Sequence, residues 1–206
     1  MRLSMKRYII TISREFGCGA REIARQLASE LGIPFYDKDL VDMAARKAGV
    51  HVDVFKNTDE VVVKKNSSKL SREFSYGSST AFYSEQAIEA QASVIRDIAN
   101  RPESCIMFGR CSDYILREHP NVINFFLYAP MSYRVKHIAE NYDLDDRESA
   151  KLIKRVDKQR HNYYKYVTGQ NRGDRNGKDM LIDVEAFGVE GTVKMMKDAI
   201  AYLYNN

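Results

Sequence analysis

The 206-residue chain is poor in the residues from which structural zinc centres and disulfide frameworks are built, with three cysteines and four histidines. Its cysteines, Cys18, Cys105 and Cys111, are odd in number and have no metal spacing, and reduced thiols in a cytoplasm fit them best. His51, His119, His137 and His161 also lack ligand spacing, so surface or capping roles are the expectation for them. No apolar run approaches the roughly 20 residues of a membrane helix. The start, MRLSMKRYIITISRE, is basic, but its apolar stretch is too short for a signal peptide and stops at Ser13-Arg14-Glu15. A strong charge of one sign is missing as well. The net charge of +4 is small and the basic residues are scattered, which argues against nucleic acid and suits a small anionic ligand. Asn66-Ser67-Ser68 matches a glycosylation sequon with nothing else to indicate secretion. Arg172-Gly173-Asp174 matches an adhesion tripeptide in a polar loop, where coincidence is the simpler reading.

One further absence is the most informative. Residues 8–12, YIITI, form a short apolar run that ends in Gly17-Cys18-Gly19, and a helical pattern begins at once. Strand, glycine turn and helix make the layout of a phosphate-binding loop, because glycines let the backbone approach a ligand and the first helical amides point at its oxygens. The usual G-x-x-x-x-G-K-[ST] pattern is nevertheless broken. Arg14 stands at its first glycine and Ala20 at its lysine. A bare strand–turn–helix is also a common structural connection, and Cys18 reads most simply as a small residue accommodating tight backbone.

Ile23, Leu27 and Leu31, with Ala24 and Ala28, give the first helix an apolar face that ends at Gly32. A second helix is expected over 39–47. Residues 51–82 hold Lys64-Lys65, many serines and little helical period, the character of a binding flap or of a surface excursion. A helix follows from Ser84 to Arg101, then a buried strand ending in Gly109-Arg110, a short helix, an apolar strand over 122–128, and a helix marked by Val135, Ile138 and Tyr142. Asp145 and Glu148 form a capping pair ahead of a long helix. A last strand, MLID, and a helix marked by Val189, Val193, Met196 and Ile200 close the chain. Short apolar strands alternating with helices predict an α/β fold, a parallel sheet with helices on both faces, whose ligands bind at the carboxyl ends of the strands. The turn after Ile12, Asp37 and Gly109-Arg110 are expected to meet there. The polar stretches 55–82 and 168–179 are expected to be the least ordered.

Phosphoryl transfer needs cations around the moving group and little covalent help. Arg14 and Arg21 flank the first turn, Arg110 ends a strand, and Arg155, Lys158 and Arg160 lie on one late helix with Asp157 among them. A basic helix is ordinarily a solvated face, so that run reads either way. Arg14, in the turn itself, is expected to be exposed and to make the main phosphate contact, with Arg21 secondary.

The segments ITISREFGCGAREIARQLASELGIPFYDKDL, IMFGRCSDYIL, KRVDKQRHNYYKYVTG and MLID together resemble the cytidylate kinase-like family, related to bacterial cytidylate kinases. The resemblance spans nearly the whole chain. It implies a three-layer P-loop kinase fold forming one domain over 1–206, with a monophosphate-binding insertion at 51–82 and a lid at 142–179. It further implies ATP and Mg2+ as cofactors, the metal ligand being left open, and a nucleotide and a small acceptor as partners. Base preference and oligomeric state stay open.

Carried over by position, Gly17 and Gly19 match the later glycines of the family loop, while Ala20 replaces its lysine and Glu22 its threonine. The phosphate cradle is then Ser13, Arg14, Glu15, Phe16, Gly17, Cys18, Gly19, Ala20, Arg21 and Glu22. Asp37 matches an aspartate near the acceptor, with Lys38 in place of the neighbouring serine. Arg110 matches the arginine of a Gly-Arg-Asp motif whose aspartate is Cys111 here, with Asp113 out of register. Asp157 and Arg160 match an acceptor-phosphate clamp. Arg14, Arg21 and Arg160 are the implied catalytic cations. Two functions are carried forward: a kinase acting on a nucleoside monophosphate or other small acceptor, and a catalytically impaired nucleotide-binding regulatory module.

Overall fold

The structure is a computed structural model that describes residues 7–37, 39–49 and 85–204. The expected acceptor insertion at 51–82 and Lys38 lie outside the described residues. Five strands form a wholly parallel sheet: β1 (Ile9–Arg14), β2 (Phe35–Tyr36), β3 (Cys105–Phe108), β4 (Val122–Tyr128) and β5 (Met180–Asp183). Their order is β2-β3-β1-β4-β5, which puts β1 at the centre. All six β1 residues are buried, as expected of a strand covered on both faces.

Among the described residues the helices are α1 (Ala20–Leu31), α2 (Asp39–Ala48), α3 (Glu85–Ala99), α4 (Ser112–Ile115), α5 (Met131–Tyr142), α6 (Asp146–Thr168) and α7 (Val184–Tyr204). Alternation along the strands sorts the core into two halves. Ile10, Ile12, Ile106 and Phe108 face one side, against α1 and α7 through Ile23, Leu27, Met196 and Ile200. Ile9, Cys105 and Met107 face the other, against α2 and α3 through Leu40, Ile95 and Ile98. Each fully buried aliphatic side chain contributes about 1.5–3 kcal/mol, so this two-sided burial locks the strand register. Ile12 pairs with Phe108 on one flank and Phe125 on the other. That register brings the ends of β1, β3 and β4 to one edge, where the crevice of an open parallel sheet forms.

Local signals do the rest. Asp145 Oδ1 accepts from Glu148 N at 2.7 Å and caps α6. Gly188, at φ 64°, interrupts α7 near its start, so the regular closing helix begins at Val189, where its apolar period begins in the sequence.

The segment 169–179 departs from expectation. Its polar composition predicts disorder, yet the structure pins it at several points. Gly173 (φ 82°) packs so closely on Phe126 that a Cβ there would lie 3.0 Å from the ring. Asn124 N donates to Asp179 Oδ2 at 2.7 Å, and Lys178 pairs with buried Asp113. Charged side chains, with the Gly173–Phe126 contact, anchor this loop.

Candidate active site

The turn between β1 and α1 is built as its sequence implies. Glu15 N donates to Leu127 O at 2.9 Å and extends the β1–β4 pairing by one step. The chain then turns through Gly17 (φ 87°) and Gly19 (φ 78°). Gly17 is required twice over, because a Cβ there would also meet Ile138 Cγ1 at 3.0 Å and Arg134 Cβ at 3.2 Å. Glu22 and Ile23 amides bond back to Gly19 O, and α1 starts with its first-turn amides at the loop. Cys18 is 1% exposed, its thiol facing the Glu15 and Leu127 carbonyls at 3.3 and 3.5 Å. Burial pushes that thiol up to about 11, so it is a plug and not a nucleophile.

A cleft of about 1050 Å³ opens over this loop. Ser13 lies just outside it, while Arg14, the loop 15–19, Ala20, Arg21 and Glu22 all line it, as does Arg160 from α6. His137 and Asn141 of α5 form its far wall. Arg14 differs from expectation. It is the last residue of β1 and not part of the turn, it is 5% exposed, and its guanidinium lies 3.8 Å over the Phe108 ring. Strand register and the Phe108 ring explain this: the parallel ladder carries two residues further than the apolar run in the sequence, to Arg14 paired with Leu127. Arg21 reaches Asp37 at 2.9 Å, so a residue matched to the donor phosphates and one matched to the acceptor neutralise each other. The late basic helix divides: Arg155 and Lys158 are exposed, whereas Arg160 is buried and lies 5.3 Å over the Phe16 ring.

Asp157 sits at a hub. Its Oδ1 accepts from Phe16 N at 3.0 Å and from Arg172 Nη2 at 2.8 Å, and its Oδ2 from Arg134 Nη1 at 2.6 Å. Arg134 also donates to Phe16 O at 3.3 Å and lies 3.4 Å from Glu15 Oε2. Arg172 donates to Arg14 O. Sequence reasoning singled out neither arginine. Arg134 looks like any helix arginine, and Arg172 is hidden in its tripeptide.

Beneath Arg14 lies a second, small cavity of about 30 Å³. Arg14, Arg110, Arg160 and Arg172 converge on it with Ser13 and Tyr164, and no carboxylate is among its described lining residues. Arg110 is aimed by strained backbone. Gly109, Arg110 and Cys111 are three consecutive left-handed residues (φ 76°, 61° and 56°), a conformation that costs a non-glycine residue about 1 kcal/mol or more. Cys111, at the position of the family aspartate, is 4% exposed, and its thiol is raised well above the ordinary range by burial. Asp113 does not replace that aspartate. It is buried, pairs with Lys178, and accepts from Tyr164 Oη at 3.0 Å. Burial, then the Asp113 charge, raise the Tyr164 hydroxyl far above its usual value.

The four-arginine pocket and the cleft share Arg14 and Arg160. Among the described residues no cluster of three His, Cys, Asp or Glu is gathered as a metal site, and no helix is long and apolar enough to cross a membrane. Residues 9–186 match the sequence model of the cytidylate kinase-like family. The chain is similar to the cytidylate kinase of Methanosphaera stadtmanae, with 26% identity over 194 residues, 93% of this chain and 97% of that one. It is also similar to the crystal structure of a protein from Eubacterium ventriosum, with a TM-score of 0.73 and 27% identity over 96% of this chain and 99% of that one. With the shikimate kinase of Bacteroides thetaiotaomicron it shares the fold alone, with a TM-score of 0.54 and 12% identity over 94% and 98% of the two chains. A central strand, a glycine turn feeding α1 and a parallel sheet of P-loop kinase type thus coincide with a family match over most of the sequence, and the chain belongs to the cytidylate kinase-like family.

Proposed function

We propose that the protein is an ATP-dependent phosphotransferase that moves the terminal phosphoryl group of ATP onto a nucleoside monophosphate, cytidylate-like, or another small acceptor, with ADP leaving. The observation that carries this reading is the junction of the two cavities. An anion on the glycine loop and an anion in the arginine pocket would lie on either side of Arg14 and Arg160, which line both spaces. Cations shared in that way neutralise charge as it passes from donor to acceptor.

In this reading the α1 amides and the Gly17–Gly19 turn hold the donor phosphates, with Arg14 as main contact and Arg21 as secondary. Arg110 and Arg160 hold the acceptor phosphate, with Asp37, Lys38 and Asp157 on the acceptor side. Mg2+ would come in on the triphosphate and keep several waters, as that ion usually does. Glu15 and Glu22 are the cleft-lining carboxylates able to approach it. The buried, unpaired thiols fit a reducing compartment, and the reading places the protein in the cytoplasm.

Ala20 and Glu22, in place of the lysine and threonine, favour a second reading: a nucleotide-binding module that regulates without transfer. A thermal-shift panel of nucleoside mono-, di- and triphosphates with and without Mg2+, followed by a transfer assay on the hits, separates the two, because a ligand stabilises even an inactive binder. Stabilisation with turnover supports the kinase, and stabilisation without turnover supports the module. No stabilisation by any nucleotide overturns both.

A further inference from the structure

We infer that Arg172, acting through Asp157 and together with Arg134, is a positioning residue that fixes the phosphate-loop backbone from outside the cleft. The inference rests on reading that loop as the donor-phosphate cradle. Three backbone groups at the entrance of the loop are held by this trio. Arg172 Nη1 donates to Arg14 O. The same guanidinium, through Nη2, bonds Asp157 Oδ1 at 2.8 Å, and that oxygen accepts from Phe16 N at 3.0 Å. Arg134 Nη1 bridges Asp157 Oδ2 at 2.6 Å and Phe16 O at 3.3 Å. None of the three side chains is among the residues lining the wide cleft, so their effect on a ligand there passes through the loop.

The three residues come from different places: α5, α6 and the segment after α6. That segment is itself anchored by Gly173 on Phe126 and by the buried Lys178–Asp113 pair, so the Arg172 fork is delivered from a fixed base. The chemistry needs an arginine. A planar guanidinium can serve a carbonyl and a carboxylate at once through two separate nitrogens, whereas a lysine is a single point charge on a flexible stem. With alanine at the lysine position, the backbone amides of the loop share donor-phosphate recognition with Arg14, and such donors must be held to within about 0.5 Å to be effective.

The test measures Mg·ADP and adenosine binding by competition for the parent, Arg172→Lys, Arg172→Gln, Asp157→Asn and the Arg172→Gln/Asp157→Asn double variant. Arg172→Lys should bind Mg·ADP about tenfold more weakly, the order seen when a supporting residue outside a site is lost, with adenosine affinity unchanged. The double variant should lose no more than the worse of its two single variants, since the residues act as one unit. Asp157→Asn strands two arginines and can fail to fold, so Arg172→Lys, which keeps the charge, carries the test alone if it does. Parent-like ADP affinity in Arg172→Lys, a parallel loss of ADP and adenosine, or fully additive losses in the double variant each overturn the inference and leave the donor reading standing. A parent that binds no Mg·ADP overturns both.

Discussion

The wide cleft and the arginine pocket share Arg14 and Arg160 but differ in size and in what lines them. Glu15 and Glu22 line the cleft, where Arg21 meets Asp37 at 2.9 Å. In the pocket four arginines face a space of about 30 Å³ with no carboxylate among its described lining residues. Arg172 there is held by Asp157 at 2.8 Å, while Arg14 lies over the Phe108 ring and Arg160 over the Phe16 ring. The cleft has room for a long, partly solvated ligand. The pocket has room for no more than a compact group. The difference teaches that positive charge here is a set of separate tools and not a general basic patch, which the net charge of +4 would never have disclosed.

The sharpest way to break this comparison lies behind the pocket, where Asp113 accepts from the lining residue Tyr164. Asp113→Asn leaves Lys178 buried and without its charge partner, and should cost about 3–5 kcal/mol in urea unfolding. Asp37→Asn, at a pair with 21% and 12% of its side chains exposed, should cost about 1 kcal/mol or less. Similar values for the two would mean that the regions are not built differently.

Arg160 lines both cavities, so its loss should strike both substrates. In the transfer assay Arg160→Gln should lower kcat/KM by about a hundred- to a thousandfold. Arg110→Gln, facing the pocket alone, should raise the acceptor KM and leave donor binding unchanged in calorimetry. Donor binding that falls equally in both variants would erase the boundary between the two spaces.

The two loop glycines sharpen the description of the cleft. Both have positive φ, but Gly17 also abuts α5, whereas a Cβ on Gly19 would meet only His137, at 3.8 Å. Thermal unfolding should show Gly17→Ala losing about 2–3 kcal/mol and Gly19→Ala about 1 kcal/mol.

Arg14→Ala should weaken triphosphate binding by about 1.5–3 kcal/mol, and Arg21→Ala by less, because Asp37 already offsets the Arg21 charge. The sequence alone predicts no cost to folding for an exposed turn residue. Buried against Phe108, Arg14 should instead contribute about 1–2 kcal/mol to stability, read from the same titrations.

The smallest effect concerns the thiols. Cys18, Cys105 and Cys111 are buried, and burial pushes the first two up to about 11. Iodoacetamide at pH 8 should leave all three unmodified over an hour in the native protein and label them on denaturation, as counted by mass spectrometry. Rapid labelling of Cys111 would show that the pocket opens widely.

Much of the architecture was legible because its signals are local. The YIITI run, the glycine turn, the Ile23–Leu27–Leu31 face and the Asp145 cap each depend on neighbours within a few residues, and each stands where the pattern places it. Asp113 was less legible. Its nearness to Arg110 in sequence invites a role in the site, but one turn of α4 directs it to Lys178, 65 residues away. The polar segment 169–179 misled for a related reason. Composition reports whether a loop can bury apolar surface, not whether its charges have distant partners.

By itself, then, the sequence determined a parallel α/β fold, a phosphate-type loop without its lysine, and membership of a kinase-like family, because periodicity, turn chemistry and motif spacing are properties of contiguous residues. Only the tertiary structure decided which cations meet. Arg14, Arg110, Arg160 and Arg172 come from the end of β1, the turn after β3, α6 and the segment beyond it, and they converge on one small pocket. Arg134 and Asp157 are drawn to the backbone of the loop in the same way. No spacing rule along the chain encodes such meetings. They follow from strand order, from the register that ends β1 at Arg14, and from the cost of leaving a buried charge without a partner.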